Sequence, residues 1–347
     1  MKVFVESWRS AEKDHCWLAE SSSKDYVDDP VCYGCGSPME VISEIINSNG
    51  RRGLITGFCP YCGYTKRIRN LPEDWYTEHF SKDWLKNRTN ESVTEDRYLY
   101  ELLTPFLRGK GRVLDIGCGI GSKLIPFKRA GFDVYGVEPS EKRSSTAAEI
   151  LGNNIETATG ERYLANCPYS FDLIYLFNVI QFTKNPFNLL SMAVEKLDDS
   201  GIICIRAGLF SSHLDEKFGF CQFSHFGVLR SFLSVHSLNK LFSDLNLTVL
   251  YYTKKPFVVV LRKGWPVMDE KPISILKGAK KITRTDVERY VKKTLKLNRP
   301  RILRKQGKQK LNFHRREIMV KIEESFDNKC LPVSFIYDTT TVPILLK

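Results

Sequence analysis

A short strand that breaks into a glycine-rich turn is the feature that most constrains this chain. Residues 112–116 read Arg-Val-Leu-Asp-Ile, and glycines follow at positions 117, 119 and 121. This order predicts the first strand, turn and helix of an open α/β sheet, because the missing side chains let a nucleotide-like ligand approach the backbone. A second predicted strand, residues 133–137, ends at Glu138, whose carboxylate can accept hydrogen bonds from ribose hydroxyls.

The spacing of the glycines separates two kinds of ligand. A dinucleotide site requires G-x-G-x-x-G, whereas position 122 here is Ser. The segment Val113–Gly121, followed by Glu138, instead resembles the S-adenosylmethionine (SAM) site of class I methyltransferases, with its hydrophobic-Leu-Asp-hydrophobic-Gly-Cys-Gly-x-Gly run. The resemblance implies that the glycines line the methionine and ribose of SAM and that the acidic residue binds the ribose. We therefore expect cofactor contacts from Asp115, Gly117, Cys118, Gly119, Gly121, Glu138, Glu161 and Asn178.

The periodicity of the following residues predicts the rest of a sheet. Five further strands are predicted at 155–159, 171–177, 201–207, 247–253 and 257–261, with helices between them. The resemblance covers about residues 95–262. It implies an α/β, Rossmann-like mixed sheet of seven strands whose last strand is reversed. A capping-box pattern, Ser92 to Glu95, predicts a helix through Phe106. The resemblance implies that a helix at this place covers the cofactor.

Two pairs of cysteines predict a metal site upstream of the sheet. Cys32 and Cys35, and then Cys59 and Cys62, form two C-x-x-C pairs, each followed by glycine. Four thiolates at this spacing close a tetrahedral Zn²⁺ site and leave no open position, so the metal is expected to be structural. Strands at 39–46 and 53–58 would complete a zinc ribbon. A redox role is the alternative, although one pair would suffice for it.

Length and charge set the wider organisation. The 347 residues, of which 42% are hydrophobic, predict one large or two unequal globular units. The first ten residues lack the apolar core of a secretory signal, and no apolar run approaches the length that a bilayer needs, so a cytoplasmic protein is expected. We predict five parts: an N-terminal segment (1–29), a zinc ribbon (30–70), a linker with the covering helix (71–108), the SAM-binding domain (109–262) and a basic extension (263–347).

The basic extension holds the whole charge excess of the chain. The net charge of the chain is +12, and residues 1–262 together have a net charge of zero. Residues 271–316 are the most basic part, and residues 287–295 within them have the pattern of an amphipathic helix. A polyanion or an anionic surface is one possible partner for residues 271–316, and a solvated face with no partner is the other. The apolar stretch 331–346 predicts a strand that folds back onto the body.

The candidates for a general base are histidines that follow the fifth predicted strand. After the fourth predicted strand, Gln181 and Phe182 stand where Glu and His are frequent in the family, so no base is assigned there. His213 and His225 lie after the fifth strand, near where family members bind acceptors. His225 is the candidate catalytic base, and a purely structural histidine is the alternative.

Three functions from different classes are compatible with these features. The first is methylation of oxygen or carbon in a small molecule or a glycan precursor, since sugar C-methyltransferases also combine an N-terminal zinc module with this domain. The second is RNA or DNA methylation with the ribbon and basic extension on phosphates. Against it, the fourth strand lacks an Asn-Pro-Pro-Tyr motif. The third is a scaffold that binds SAM without catalysis and attaches to an acidic partner. The identity of the acceptor and the oligomeric state are not encoded in any motif.

Overall fold

The computed structural model describes residues 2–9, 27–46, 52–81, 95–207, 229–254, 257–264, 283, 285, 315–324 and 327–338. The chain divides into two compact units. The described residues of the first unit fall within 1–73, 209–236 and 280–347, and those of the second fall within 74–208 and 237–279. The predicted helix at 287–295 lies outside the described residues, and the five-part division of the chain stays a prediction.

The first unit is built on an eight-stranded sheet with the order β11-β5-β4-β3-β1-β14-β15, in which β2 also pairs with β5. Strands β3 and β4 are the predicted ribbon hairpin, and β5 adds a third antiparallel strand to it. The strands are β1 Lys2–Arg9, β2 Val27–Asp28, β3 Glu40–Ile46, β4 Arg52–Phe58, β5 Thr65–Asn70, β11 Ser231–Phe232, β14 Arg315–Glu324 and β15 Asp327–Asp338.

Strands from the C-terminal part of the chain complete this sheet. Strand β14 pairs antiparallel with β1, and β15 pairs antiparallel with β14. Strand β1 is in turn parallel to β3 of the ribbon hairpin. The predicted return of the apolar stretch 331–346 is therefore confirmed for its described part, residues 331–338, because β15 covers them.

The second unit contains a seven-stranded sheet with the order β12-β13-β10-β9-β6-β7-β8. Strands β10, β9, β6, β7 and β8 run parallel, whereas β13 is antiparallel to β10 and to β12. This is the predicted mixed sheet with a reversed last strand. The strands are β6 Arg112–Ile116, β7 Asp133–Val137, β8 Ile155–Glu156, β9 Phe171–Phe177, β10 Leu197–Arg206, β12 Leu247–Lys254 and β13 Phe257–Lys263.

The central strands of this sheet are apolar along their length because both faces of the sheet are covered. Side chains of β6, β9, β10 and β13 are buried in one cluster with Leu103 and Phe127. The helices are α1 Glu73–Ser81, α2 Tyr98–Leu103, α3 Ile125–Arg129, α4 Glu141–Leu151, α5 Gly160–Asn166, α6 Pro186–Glu195 and α7 Val235–Asp244, and a 3₁₀ turn spans Thr104–Phe106. Among these described helices, none has the length and apolar character needed to span a bilayer.

Two sequence predictions about local structure were wrong. The capping box at Ser92–Glu95 does not start the described helix, because α2 begins at Tyr98 without a side-chain cap. The Glu95 carboxylate instead forms ion pairs with Arg97 and Arg129. The third strand ends at Glu156 rather than at Thr159, since the Thr159 side chain accepts a hydrogen bond from the Arg162 N–H and begins helix α5, which was not predicted.

The hydrogen bonds of Arg262 in β13 predict how much this side chain contributes to the stability of the fold. Its guanidinium is 2% exposed and donates to the carbonyl oxygens of Ser200 and, at 3.0 Å, Phe106. Substitution by Met leaves both carbonyls without this donor, so Arg262→Met should lower the free energy of unfolding by about 2 kcal/mol in urea denaturation. Lys128→Met, which removes an exposed donor to the Ile150 carbonyl, is the control and should cost less than about 0.5 kcal/mol.

Candidate functional site

The carboxyl ends of the parallel strands in the second unit meet at one edge of the sheet, where ligands of open α/β folds bind. The glycine loop leaves β6 at this edge. Gly117, Gly119 and Gly121 all have positive φ angles, of 79°, 57° and 81°. The N–H groups of Gly117 and Cys118 donate to the Val137 carbonyl at 2.8 and 3.1 Å, which ties the loop to the end of β7.

Asp115 is the buried carboxylate that faces this loop. Its side chain is 1% exposed, and its Oδ1 atom has no hydrogen-bond partner among the described residues. Burial raises the pKa of Asp115 to about 7, although the Lys123 ammonium and the Tyr175 hydroxyl oppose this shift. Burial and the charge of Asp115 likewise raise the pKa of Tyr175. Among the described residues the Asp115 carboxyl group forms no ion pair within 4 Å, which makes it suited to a ligand cation.

Glu138 holds the loop from the other side. Its two carboxylate oxygens accept hydrogen bonds from the N–H groups of Gly119 at 3.0 Å and Ser140 at 3.1 Å. Arg143 lies 3.8 Å from the same side chain. Burial raises the pKa of Glu138, while Arg143 and the two backbone donors act in the opposite direction. A carboxylate has about four acceptor sites, so Glu138 retains capacity for ligand hydroxyl groups.

The three loop glycines have different surroundings. A Cβ atom on Gly117 would lie 2.5 Å from the Val179 side chain, and one on Gly121 would lie 2.5 Å from the Leu151 side chain. The close packing therefore favours glycine at both positions. A Cβ atom on Gly119 would meet no atom of the described protein within 4 Å. Gly119 therefore borders open space beside Glu138, whose Oε2 atom accepts its N–H. This space is where a ligand can approach the backbone.

Asn178 follows β9 at the same edge of the sheet. Its φ angle of 60° is unusual for a residue other than glycine, and its N–H donates to the Arg206 carbonyl at 2.9 Å. Such backbone strain is often found at functional sites. The Asn178 side chain is exposed at this edge, which is compatible with its predicted contact to a cofactor.

The remaining predicted cofactor residues are located differently. Cys118 is 7% exposed, and its Sγ atom lies 3.7 Å from the Gly119 carbonyl oxygen. Burial raises its pKa, so the thiol is held in its protonated form. Glu161 lies in the first turn of α5 and is half-buried. His213 and the predicted base His225 lie outside the described residues, so the role of His225 stays a prediction.

Gln181 is a residue whose importance the sequence did not reveal. It was treated only as a departure from the family pattern, yet its side chain is 8% exposed and its Oε1 atom has no hydrogen-bond partner among the described residues. It follows β9 on the same exit segment as Asn178. The available signal was a polar residue at a position where Glu is frequent in the family that the sequence resembles.

The four predicted metal ligands meet in the first unit. The Sγ atoms of Cys32, Cys35, Cys59 and Cys62 all lie within 4.8 Å of one another. Each pair lies in a tight turn whose following glycine, Gly36 or Gly63, has a positive φ angle of 72° or 69°. The N–H of each of these glycines donates a hydrogen bond of 2.9 Å to the carbonyl oxygen of the first cysteine in its pair. The two turns therefore have the same hydrogen-bonded geometry and present four thiols to one point.

Comparison with known proteins gives a match whose residues belong mostly to the second unit. Residues 87–252 match the family model described as "Methyltransferase domain". The ubiquinone biosynthesis O-methyltransferase of Caulobacter sp. (strain K31) is 33% identical over 99 residues, which are 27% of this chain and 39% of that protein. Peramine synthetase ppzA of Metarhizium rileyi is 28% identical over 155 residues, or 41% of this chain and 5% of that protein. The chain thus spans about two fifths of the O-methyltransferase and a small part of the synthetase.

Solved structures with the same type of domain have low sequence identity. The geranyl diphosphate C-methyltransferase of Streptomyces coelicolor A3(2) has a TM-score of 0.42 and 11% identity, with 54% of this chain and 97% of that chain covered. A magnesium protoporphyrin IX methyltransferase from Synechocystis PCC 6803 has a TM-score of 0.39 and 15% identity, with 55% and 96% covered. The resemblance inferred from the glycine loop is confirmed by the sequence match and by the observed strand order.

The raised pKa of Asp115 predicts a pH-dependent stability. Between its ordinary value of 3.8 and about 7, the unfolded chain has released this proton while the folded chain retains it. Asp115 therefore lowers the free energy of unfolding by roughly 1 kcal/mol for each pH unit through this window, and the loss levels off above it. Relative to wild type, Asp115→Asn should become progressively more stable between pH 4 and 7 in urea denaturation.

The control for this profile is Glu101→Gln, which removes one negative charge from an exposed side chain of α2. A difference between Asp115→Asn and wild type that is constant across the pH range, as for an uncharged packing change, would contradict the assignment. Urea denaturation without added ligand isolates the effect, because a bound cation would change the protonation of the folded state.

Proposed function

We propose that this chain, whose residues 87–252 match a methyltransferase domain and whose second unit has the class I strand order, transfers a methyl group from SAM to a small-molecule or glycan-precursor acceptor. The acceptor atom would be oxygen or carbon. The observation that carries the proposal is the partnerless Oδ1 atom of buried Asp115 at the base of the loop whose Gly119 borders open space. Similarity to O-methyltransferases named for ubiquinone biosynthesis supports a small-molecule acceptor.

The residues at the edge of the sheet fit the parts of SAM. Asp115 supplies a buried negative charge for the ammonium group of the methionine part. The open space at Gly119 accommodates the sugar, and Glu138 accepts its hydroxyl hydrogens with the lone pairs that Gly119 and Ser140 leave available. In this proposal the remaining lining comes from Gly117, Cys118, Gly121, Glu161 and Asn178.

When bound, SAM supplies a methyl group already activated by a positively charged sulfonium. The chain's own residues then mainly need to align the acceptor and exclude water. Asp115 and Glu138 fix the donor at two strand ends, and Asn178 presents a rigid backbone at a third. An oxygen or carbon acceptor also needs a route for its proton, and His225 remains the candidate base for that step.

We also propose that Cys32, Cys35, Cys59 and Cys62 hold a structural zinc ion. Four sulfur ligands within 4.8 Å of one another match the donor set of closed zinc sites, which have no position for substrate. The two equivalent turns hold the thiols close together, as a preformed site requires. Thiolates that bind zinc persist in a reducing compartment, so this assignment agrees with a cytoplasmic location.

Nucleic-acid methylation and a non-catalytic scaffold remain competing hypotheses. Both depend on residues 271–316 as the contact to a polyanion or an acidic partner, and most of those residues lie outside the described part of the chain. Labelled methyl in RNA or DNA would select the first of them. SAM binding without methyl transfer to any acceptor would select the second.

The decisive experiment is an activity measurement with methyl-labelled SAM. Purified protein is incubated with a fractionated cell extract, and label is followed into small molecules, glycans, lipids, proteins and nucleic acids. We expect label in the small-molecule or glycan-precursor pool. Gly119→Ala should reduce this activity and weaken SAM binding by about tenfold or more, because its methyl group occupies the space that SAM needs.

Gly152→Ala is a matched control for backbone strain. Gly152 also has a positive φ angle, of 86°, and a Cβ atom there would also meet no atom within 4 Å, but it follows the C-terminus of α4. Both variants place a Cβ atom on a residue with a positive φ angle and should each lose about 1 kcal/mol of stability or more. Only Gly119→Ala should lose SAM affinity, and equal SAM affinity in the two variants would remove the loop as the binding site.

The zinc assignment predicts one zinc ion for each chain. Elemental analysis of purified protein should detect it, and Cys59→Ser should lose it together with the stability of the first unit, since ion binding supplies folding free energy to such sites. Cys204→Ala is the control, because Cys204 is a buried cysteine in β10 outside the cluster and its loss should leave the zinc content unchanged. Full zinc content in Cys59→Ser would contradict a four-cysteine site.

A further inference from the structure

Two cations flank one aromatic ring at the carboxyl edge of the second unit's sheet. Phe177 ends β9, and its ring centre lies 5.1 Å from the Arg206 guanidinium carbon and 5.5 Å from the Lys123 ammonium nitrogen. Arg206 ends β10, and Lys123 follows the glycine loop. We call Lys123, Phe177 and Arg206 the cation cluster. No role for it follows from the SAM contacts proposed above.

Arg206 is the member of the cation cluster whose charge is least compensated. In the described part of the chain its guanidinium makes no ion pair, and its recorded contact is the Phe177 ring. Its backbone carbonyl is engaged separately by the Asn178 N–H. Lys123, by contrast, has the Asp96 carboxylate at 3.7 Å. A half-buried guanidinium with its donors available is well suited to bidentate binding of a carboxylate or phosphate.

The strand order separates Arg206 from the two carboxylates of the proposed SAM site, Asp115 and Glu138. Asp115 and Glu138 belong to β6 and to the end of β7, whereas Arg206 lies at the end of β10, beyond β9. Neighbouring strands are about 4.8 Å apart, so the end of β10 lies roughly 10 Å from the end of β6 on the side away from Glu138. This is the side from which a second substrate can reach the transferred group. Arg206 therefore lies on the side of β6 opposite to Glu138, where an acceptor rather than the donor would bind in the proposed function.

We propose that the cation cluster binds an anionic group, a carboxylate or a phosphate, carried by the methyl acceptor, with Arg206 as the principal contact. The inference rests on the proposed function, because it takes the space beside Gly119 as the donor site. It restricts the acceptor to molecules that carry a negative charge within reach of the reacting atom. Phe177 contributes a flat apolar surface beside the two cations, which suits an acceptor with an apolar or aromatic body.

The test measures anion binding directly, without methyl transfer. The full chain is saturated with S-adenosylhomocysteine and titrated with benzoate, with inorganic phosphate and with benzamide, an uncharged analogue of benzoate, and binding is followed by calorimetry or ligand-observed NMR. We expect at least one anion to bind at millimolar concentration and benzamide to bind more weakly. The stronger of the two anions identifies a carboxylate or a phosphate as the preferred group.

Variants assign the binding to Arg206. Arg206→Gln should weaken anion binding by about tenfold or more, and Arg206→Lys should retain part of it, because a single charge remains without the bidentate fork. The matched control is Arg112→Gln. Arg112 also lies 5.1 Å from the centre of an aromatic ring, that of Tyr169, but at the beginning of β6 on the opposite edge of the sheet. Its loss should leave anion binding unchanged.

Several results would overturn the proposal. They are equal anion affinity in wild type and Arg206→Gln, equal affinity for benzoate and benzamide, or no anion binding to wild type at millimolar concentration. A loss of SAM affinity in Arg206→Gln as large as the loss of anion affinity would place Arg206 in the donor site instead. Thermal unfolding of each variant verifies that it is folded. Intact anion binding without methyl transfer to any acceptor would count against the proposed function and leave the cation cluster supported.

Discussion

The hydrogen bonds between the glycine loop and the end of β7 are the interaction on which the rest of the site depends. Val137 accepts from two loop N–H groups, and Glu138 accepts from a third, that of Gly119. These bonds hold a left-handed backbone in place and leave Gly119 facing open space. The same bonds bury Glu138 and keep its carboxylate oriented. The glycine loop is thereby tied to the end of β7 while its backbone at Gly119 stays open to a ligand.

The charges along the sheet edge follow the order of the strands. Carboxyl groups lie at the ends of β6 and β7, and the positively charged Arg206 lies at the end of β10 with Phe177 between the two regions. A sulfonium donor with an ammonium group fits the first region, and an anionic acceptor fits the second. In the proposed function, strand order would separate the two substrates by their charge, because each substrate would bind beside groups of opposite charge.

How well local elements were predicted depended on where the stabilising contacts come from. The strands at 112–116, 133–137 and 171–177 were predicted to the residue, because a buried parallel strand is a short apolar run whatever its neighbours are. The start of α2 was missed since Glu95 pairs with Arg129, a residue far along the chain. Helix α5 was missed because a single threonine cap decides its start and its apolar periodicity is weak.

The sequence by itself determined the glycine loop, the acidic residue after the second strand, the four cysteines and the number of strands in the second sheet. Each of these is a local pattern whose chemistry depends on residue type and spacing. The tertiary structure alone decided that Asp115 is buried with a partnerless oxygen, that Gln181 is buried, and that Lys123 and Arg206 meet at one ring. These properties arise from residues brought together by strand pairing, and burial and charge balance are set by neighbours that sequence spacing does not reveal.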